Sequence, residues 1–369
     1  MARWLPVVVL LTGLVRTDAQ IVPRVEIYTA YTDNVFSNYQ AQSDWMTFSY
    51  LDFDLALTSQ IDLFYAGSAS VFTDNDDLFS HTHRIGLTRY LHWDEEMWVT
   101  GAIDAALRLD RSTYDFRDYL LGHGVLEMRY RPGSAAWVLS AAYETKVQEY
   151  THSTDYSFWE NRARARWSRT LRPGTSLQLR TELATKSYLR EADPDLLTEV
   201  LFGSTNRDRH LLQWEGGLRI GQSLADWAGL QLEASRRQNL GGSGRLDAGV
   251  LDTDDDLFDD RFNYEGQSLG ARLKVLGDWG SEISVGARHE TRDFVDRVAY
   301  DLDGYSLGTM RSDSRLSLSL GVQKTFWFDS PWLSEINLQL DLMRRDTDSN
   351  DPYYDATSHT VTTGIQIDF

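Results

Sequence analysis

Every second connection in this chain is tight, and few architectures have a reason for that. Apolar and polar residues alternate with period two through a long series of stretches, the pattern of strands with one greasy and one wet face. In 176–188, Leu177, Leu179, Thr181 and Leu183 alternate with Gln178, Arg180, Glu182 and Ala184. In 333–344, Ile336, Leu338, Leu340 and Leu342 alternate with Glu335, Asn337, Gln339 and Asp341. Seven such pairs close on short turns rich in Pro, Gly and Ser, among them Arg131-Pro132-Gly133-Ser134 and its near copy Arg172-Pro173-Gly174-Thr175. Longer connections separate the pairs, the longest at 190–208 and 238–260. With a first strand at 24–31 and a last at 359–369 the count is sixteen, and boundary errors of about two to four residues leave 14 to 18 open.

A soluble sandwich gains nothing from keeping alternate connections tight. A transmembrane barrel does: short turns lie on the inner side of the membrane and long loops on the outer, and an even count brings both termini to the same side. The expectation is therefore an all-β fold, an antiparallel up-and-down transmembrane β-barrel formed as one domain over 20–369. Beyond the hairpin rhythm there is no repeat of 20–50 residues and no linker that would split the chain. No run after residue 19 approaches the ~18 apolar residues of a spanning helix. Tryptophan agrees: Trp93, Trp98, Trp137, Trp167, Trp227, Trp279, Trp327 and Trp332 all lie in or near a short turn, where an interfacial belt of indoles is expected.

A charge on the lipid side at mid-membrane costs roughly 2–4 kcal/mol for Arg or Lys, so the polar set should point inward. The pore-lining expectation comprises Arg162, Arg164, Arg166, Arg180, Arg219, Arg272, Lys274, Arg288, Arg292 and Arg315 on later strands, and Asp52, Asp54, Asp62 and Asp104 on early ones. Glu182, Glu215, Glu233 and Glu290 interleave with the first group, and Arg84 and Arg108 relieve the second. A basic wall from the eighth strand onward is thus expected to face an acidic wall formed by the second to fifth.

The last strand ends on an aromatic residue, with Phe369, Ile367, Ile365, Thr363 and Val361 on one face. Thr362, Gly364, Ile367 and Phe369 occupy the polar, glycine, hydrophobic and aromatic places of a closing strand that resembles that of bacterial outer-membrane β-barrels. The resemblance implies that Gly364, Ile367 and Phe369 act as an assembly signal for the barrel assembly machinery, and that the protein resides in the outer membrane of a Gram-negative-type cell. Residues 1–19 read as a secretory signal peptide: Arg3 precedes the apolar stretch 5–15, and Thr17-Asp18-Ala19 offers a cleavage site before Gln20. The formal charge of −19 therefore becomes slightly more negative in the mature chain, which argues against nucleic-acid binding. The complete lack of cysteine removes disulfides, thiolate metal sites and a lipoprotein anchor.

Opposed charge walls in a sixteen-strand barrel are similar to those of general diffusion porins, and the resemblance implies passive passage of small polar solutes or ions, with no cofactor and no catalytic step. Trimers occur in that family; nothing in the sequence speaks for or against a homo-oligomer. One departure is plain. The third outer connection, which folds inward as the constriction in porins, is short here at 110–118, leaving 190–208 and 238–260 as the loops long enough to fold in. A second reading is a barrel sealed by arginine–carboxylate pairs. A third is an exopolysaccharide-export or secretion barrel, which the opening Tyr28-Thr29-Ala30-Tyr31-Thr32-Asp33-Asn34-Val35-Phe36 resembles over a short stretch. Phospholipase and protease barrels place His beside Ser or acid groups. His152-Ser153 and His359-Thr360 do not reproduce the phospholipase motif. His81 and His83 near Asp76 and Asp77, and His210 beside Asp208, are acid–histidine groupings of the kind protease barrels place at the outer rim. The i, i+2 histidines also have the spacing of metal ligands, but each is more simply a polar rim residue. The outer loops carry Asp74, Asp76 and Asp77, then Asp252, Asp254, Asp255, Asp256, Asp259 and Asp260. Asp252-x-Asp254-x-Asp256 lacks the glycine and the bidentate Glu of a calcium loop, so solvated charge facing outer-membrane lipid and lipopolysaccharide is the expectation, with no metal site.

Overall fold

The computed structural model describes residues 21–92, 95–133, 136–172, 174–190, 209–242, 244, 260–330 and 332–369. The signal-peptide reading, Trp93, the loop 191–208 and Asp252 to Asp259 lie outside them. Sixteen strands run in chain order: β1 (Ile21–Thr32), β2 (Asp44–Thr58), β3 (Ile61–Phe72), β4 (Ser80–His92), β5 (Met97–Asp110), β6 (Tyr119–Tyr130), β7 (Trp137–Tyr150) and β8 (Phe158–Arg172), then β9 (Thr175–Tyr188), β10 (His210–Ala225), β11 (Ala228–Gly241), β12 (Tyr264–Gly277), β13 (Ser281–Tyr300), β14 (Ser306–Ser330), β15 (Leu333–Ser349) and β16 (Ala356–Asp368). Each pairs antiparallel with its chain neighbours, and β1 pairs with β16, so the sheet closes on itself and leaves no edge.

Closure rests on a register that runs from Arg24 opposite Asp368 to Thr32 opposite Thr360, and an Arg24–Asp368 ion pair of 2.6 Å pins its inner end. Within it, Tyr28 faces Gly364, and a Cβ on residue 364 would stand 2.3 Å from the tyrosine ring. The glycine of the closing strand is therefore required by the seam itself. The short turns use glycine for its backbone freedom: Gly174 has φ 81° and Gly280 φ 76°.

Alternation decides which face is which. Ile103, Leu269, Ile85 and Leu126 stand more than half exposed on one side, forming the apolar band that lipid would cover. The opposite side chains of β15, β16 and β1 to β7 all line one space of about 650 Å³, which only the inside of a closed barrel permits. The tryptophans divide between the two. Trp137 and Trp167 face outward, and Trp227, Trp279 and Trp332 stand exposed at short turns. Trp98 is an exception to the girdle expectation, since its register opposite Arg129 puts it on the lumen face. Trp327, opposite Glu335, shares that face and covers Gly280. The short turn at that end lies close enough to the rim for an indole to turn inward.

The strands outrun the sequence expectation at both kinds of end: β8 and β10 run on to Arg172 and Ala225 at their short turns, and β15 runs on to Ser349 at its loop. β13 and β14 extend to Tyr300 and from Ser306, past a register shift between Asp293 and Val298. Their outer parts lean on the loop after β15. There the buried Arg311 stacks over Tyr354 at 3.4 Å and over Phe294 at 4.4 Å while donating to Asp313.

Candidate functional site

The register carries every one of the expected pore-lining residues to the lumen face. Asp52 and Asp54 share it with Phe48 of β2, and Asp62 with Ser68 and Ser70 of β3. Asp104 lies opposite His123, in step with Arg108 opposite Tyr119. From Gln148 opposite Phe158 the same face runs through Arg162, Arg164 and Arg166, then Arg180, Arg219, Arg272, Lys274, Arg288, Arg292 and Arg315.

Most of those cations do not stand as bare charge. Arg162 reaches Glu160 at 2.5 Å and Arg164 reaches Glu144 at 2.5 Å. Arg180 bridges Glu215 at 3.4 Å and Glu233 at 3.3 Å, and Arg219 shares Glu233 at 3.2 Å. Arg292 and Arg288 both face Glu290, at 2.7 and 3.9 Å, and Lys274 holds Glu282 at 2.6 Å. Arg315 lies 3.4 Å from Asp313. The expected basic wall is thus a ladder of ion pairs with a surplus of cations, its carboxylates supplied both two residues along the same strand (Glu160, Glu290, Asp313) and from neighbouring strands (Glu144, Glu215, Glu233, Glu282). Arg166 is only loosely held, 4.0 Å from Glu127, and Arg272 makes no ion pair among the described residues.

The acidic side is different. Asp104 is fully engaged: Arg84 donates to both its oxygens at 2.7 Å, and His123 Nδ1 lies 2.8 Å away. His123 Nε2 looks on to Glu144 at 3.4 Å, so one imidazole joins the acidic side to the ladder. Asp52, Asp54 and Asp62 make no ion pair among the described residues. They sit close to the short turn between β2 and β3, in the same half of the barrel as Arg272 and Lys274.

The outer mouth is lined by a segment that the sequence singled out by its length and its acidity, but Asp260, expected as solvated loop charge, is buried there because Lys186 pairs with it. At the end of the connection from β11 to β12, Asp260 to Asn263 fold against the inner faces of β9 to β11. Lys186 donates to Asp260 at 2.6 Å, both nearly inaccessible, and its ammonium lies 4.0 Å from the centre of the Phe158 ring. Arg261 reaches Glu182 at 2.6 Å and Glu215 at 3.6 Å, and its carbonyl accepts from Gln213. Phe262 is buried with Tyr150, Phe158, Ala184, Tyr188 and Leu211. The end of this long connection thus turns inward where it rejoins the wall. The short loop 111–118 also contributes: Arg117, buried, holds Asp110 at 2.8 Å and lines the lumen space.

Sequence reasoning missed the uncharged part of this face. Ser68, Ser70, Ser80, Thr82, Ser358 and Thr360 stand on the same inner surface, with Met46, Phe48, Phe72 and Met343 among them. Their signal was present as small hydroxyl residues at every second position of β3, β4 and β16. The histidines weighed for catalysis lie elsewhere. His81 and His83 face outward near the rim, 3.1 Å apart, with Tyr65 at 2.7 Å from His83. His152 contacts Thr151 and the Asp115 carbonyl, and His359 contacts Asp33 at 2.7 Å.

No protein-family model matches the chain, and no curated protein matches it. Solved structures do. OccD3 (OpdP) of Pseudomonas aeruginosa superposes with a TM-score of 0.51 at 10% identity, covering 95% of this chain and 91% of that one. OccD1 (OprD) gives 0.50 at 10% identity with 95% of both chains covered, and the outer membrane protein opdK of Pseudomonas aeruginosa gives 0.50 at 11% identity with 95% and 99% covered. The fold is that of a porin-like outer-membrane β-barrel.

Proposed function

We propose that this barrel is an outer-membrane channel through which small polar solutes or ions diffuse passively. The observation that carries the reading is the set Asp52, Asp54 and Asp62, lumen-facing carboxylates that make no ion pair among the described residues, with Arg24 opposite Asp52 acting on it only through its field. An ionised carboxylate with no partner is stable only where water reaches it, so this level of the lumen is wet. Sixteen strands leave room for an aqueous path, and the cation surplus on β8 and β12 across from those carboxylates supplies a transverse field that tunes which solutes pass. Residence in the outer membrane follows from the apolar outer band, and the closing strand, with Gly364, Ile367 and Phe369, is read as the segment that the barrel assembly machinery recognises. No chemical step enters this reading.

The ladder on β7 to β13 favours a second reading, a scaffold whose lumen is filled by mutually satisfied charges. Single-channel recording in planar bilayers with KCl separates the two. Discrete conductance steps whose reversal potential in a salt gradient moves with Arg162→Glu/Arg164→Glu are the expected result. A correctly folded barrel that leaves the bilayer silent would favour the scaffold.

A further inference from the structure

The outward face of β4 carries a polar grouping that the channel reading does not use. Ser80 and Thr82 line the lumen space, so His81 and His83, which alternate with them, point outward at the outer end of the strand. Their rings meet edge to face with centroids 5.1 Å apart, and His81 Nδ1 stands 3.1 Å from His83 Nε2. Exposed histidines two apart on a strand are free to splay into water, but here their surroundings hold them together. Tyr65 of β3 puts its hydroxyl 2.7 Å from His83 Nδ1, and its ring is stacked on that of Phe53 of β2 at 5.1 Å. The tyrosine crosses to His83 over Gly67, which lies opposite that histidine in the register, and a Cβ on residue 67 would stand 2.6 Å from the hydroxyl. On the loop side, the Phe79 ring packs 5.9 Å from that of His81.

The hydroxyl sets more than the position of the ring. When the Tyr65 oxygen accepts the Nδ1–H of His83, Nε2 of that ring carries no proton and turns its lone pair toward His81 Nδ1. With the proton of His81 on its Nε2, two imidazole lone pairs converge on one point. A cation ~2.0–2.1 Å from each nitrogen, the usual zinc–imidazole length, would subtend roughly 100° across the observed 3.1 Å, near the tetrahedral angle. We infer that His81 and His83 chelate a divalent transition-metal cation of the zinc type at the outer rim, with Tyr65 as the positioning residue for His83. Imidazole nitrogen selects such ions over calcium and magnesium, which take oxygen ligands. No group of three or more His, Cys, Asp or Glu side chains converges among the described residues, so the pair fills two positions and water the others.

The site lies outside the lumen, so it stands or falls independently of the channel reading. The probe is Zn²⁺ alone, titrated into the whole barrel folded in detergent micelles, without an affinity tag and in a large excess of Ca²⁺ to occupy the acidic outer loops. Calorimetry is expected to give saturable uptake of one zinc ion per barrel. His81→Ala and His83→Ala should each abolish it. Tyr65→Phe keeps the ring stacked on Phe53 and removes only the hydroxyl, and should weaken uptake by about tenfold, the usual scale for losing the partner that orients a ligating imidazole. All three side chains face outward, and heat-modifiable migration certifies that each variant is folded. No saturable uptake by the folded barrel would overturn the inference and leave the contact between the rings as a hydrogen bond. Uptake that either histidine variant leaves unchanged, or that calcium displaces, would overturn it as well by placing the zinc elsewhere. An affinity unchanged in Tyr65→Phe would overturn the role given to the tyrosine.

Discussion

The two sides of the lumen solve the same problem in opposite ways. Both must present polar groups to the inside of a barrel whose outside belongs to lipid. From β7 to β13 the wall is a lattice of long side chains tied across strands, where Arg180 serves two glutamates and Glu215 is approached by Arg180, Arg237 and Arg261. From β16 through β4 it is a surface of Ser and Thr above, with Asp52, Asp54 and Asp62 below, none of them in an ion pair among the described residues. The first kind of wall is rigid and nearly neutral at short range. The second has little side-chain bulk and a net charge that water must serve. Cross-strand ion pairs are thus concentrated on one side of the barrel and small polar side chains on the other, and that division can be broken experimentally.

The largest effect is expected at Lys186 and Asp260, where the laddered side also captures the outer loop. Removing one partner leaves a charge with almost no solvent access, at a cost of about 3–5 kcal/mol. Lys186→Met should lower the urea midpoint of the detergent-folded barrel accordingly, and Lys186→Met/Asp260→Leu should recover much of the loss. An unchanged midpoint in the single variant would show that the laddered side does not hold the barrel together.

The closing seam comes next. Gly364→Val drives a side chain into the Tyr28 ring, and crowding of this kind costs typically about 1–3 kcal/mol. Reduced yield of heat-modifiable protein, restored by adding Tyr28→Ala, is the expected outcome. Failure of the second change to restore folding would move the role of Gly364 from packing to recognition during assembly.

What could be read in advance follows the strength of the physical penalty. Lipid punishes a misplaced charge heavily, so strand count, the two faces and the inward position of residues as scattered as Asp54, Arg219 and Arg315 were all legible from alternation. Pairing was less so. The Lys186–Asp260 pair joins positions 74 residues apart, and the Arg164–Glu144 pair depends on a diagonal step between strands that no single-strand pattern encodes. The hydroxyl patch was passed over because Ser and Thr are also ordinary strand residues, and only the closed register brings β16, β1, β3 and β4 to one surface. Overhanging strand ends on β13 and β14 were lost for a related reason: beyond the lipid the alternation is no longer enforced.

Ion selectivity gives a smaller contrast between the two sides. Asp52→Asn/Asp54→Asn/Asp62→Asn removes charge that no ion pair among the described residues ties down, and should lower the cation-to-anion permeability ratio by about two- to threefold in dilute salt, with the effect fading as salt is raised. Neutralising the tightly paired Arg162 together with Glu160 should leave the ratio nearly unchanged. Equal shifts from both would mean that the ladder is as electrically open as the opposite side.

The smallest effect concerns the outer rim beside the seam, where Asp33 follows β1. Burial pushes the Asp33 carboxyl up, but the backbone N–H of His359 donates to it at 2.7 Å and the His359 ring nitrogen stands 2.7 Å away, so that the carboxyl ends below its ordinary value. A carboxylate lowered in the folded state stabilises that state at pH values above its unfolded value, about 3.9, and the contribution disappears as pH falls through the lower folded value. Both side chains are largely exposed, so the contribution is small and screened by salt. Protection of the His359 amide against hydrogen exchange, referred to intrinsic rates at each pH, should therefore be flat from neutrality down to about pH 5 and decline below that, and Asp33→Asn should remove the decline. A decline that persists in Asp33→Asn would instead assign the control to a group other than this carboxylate.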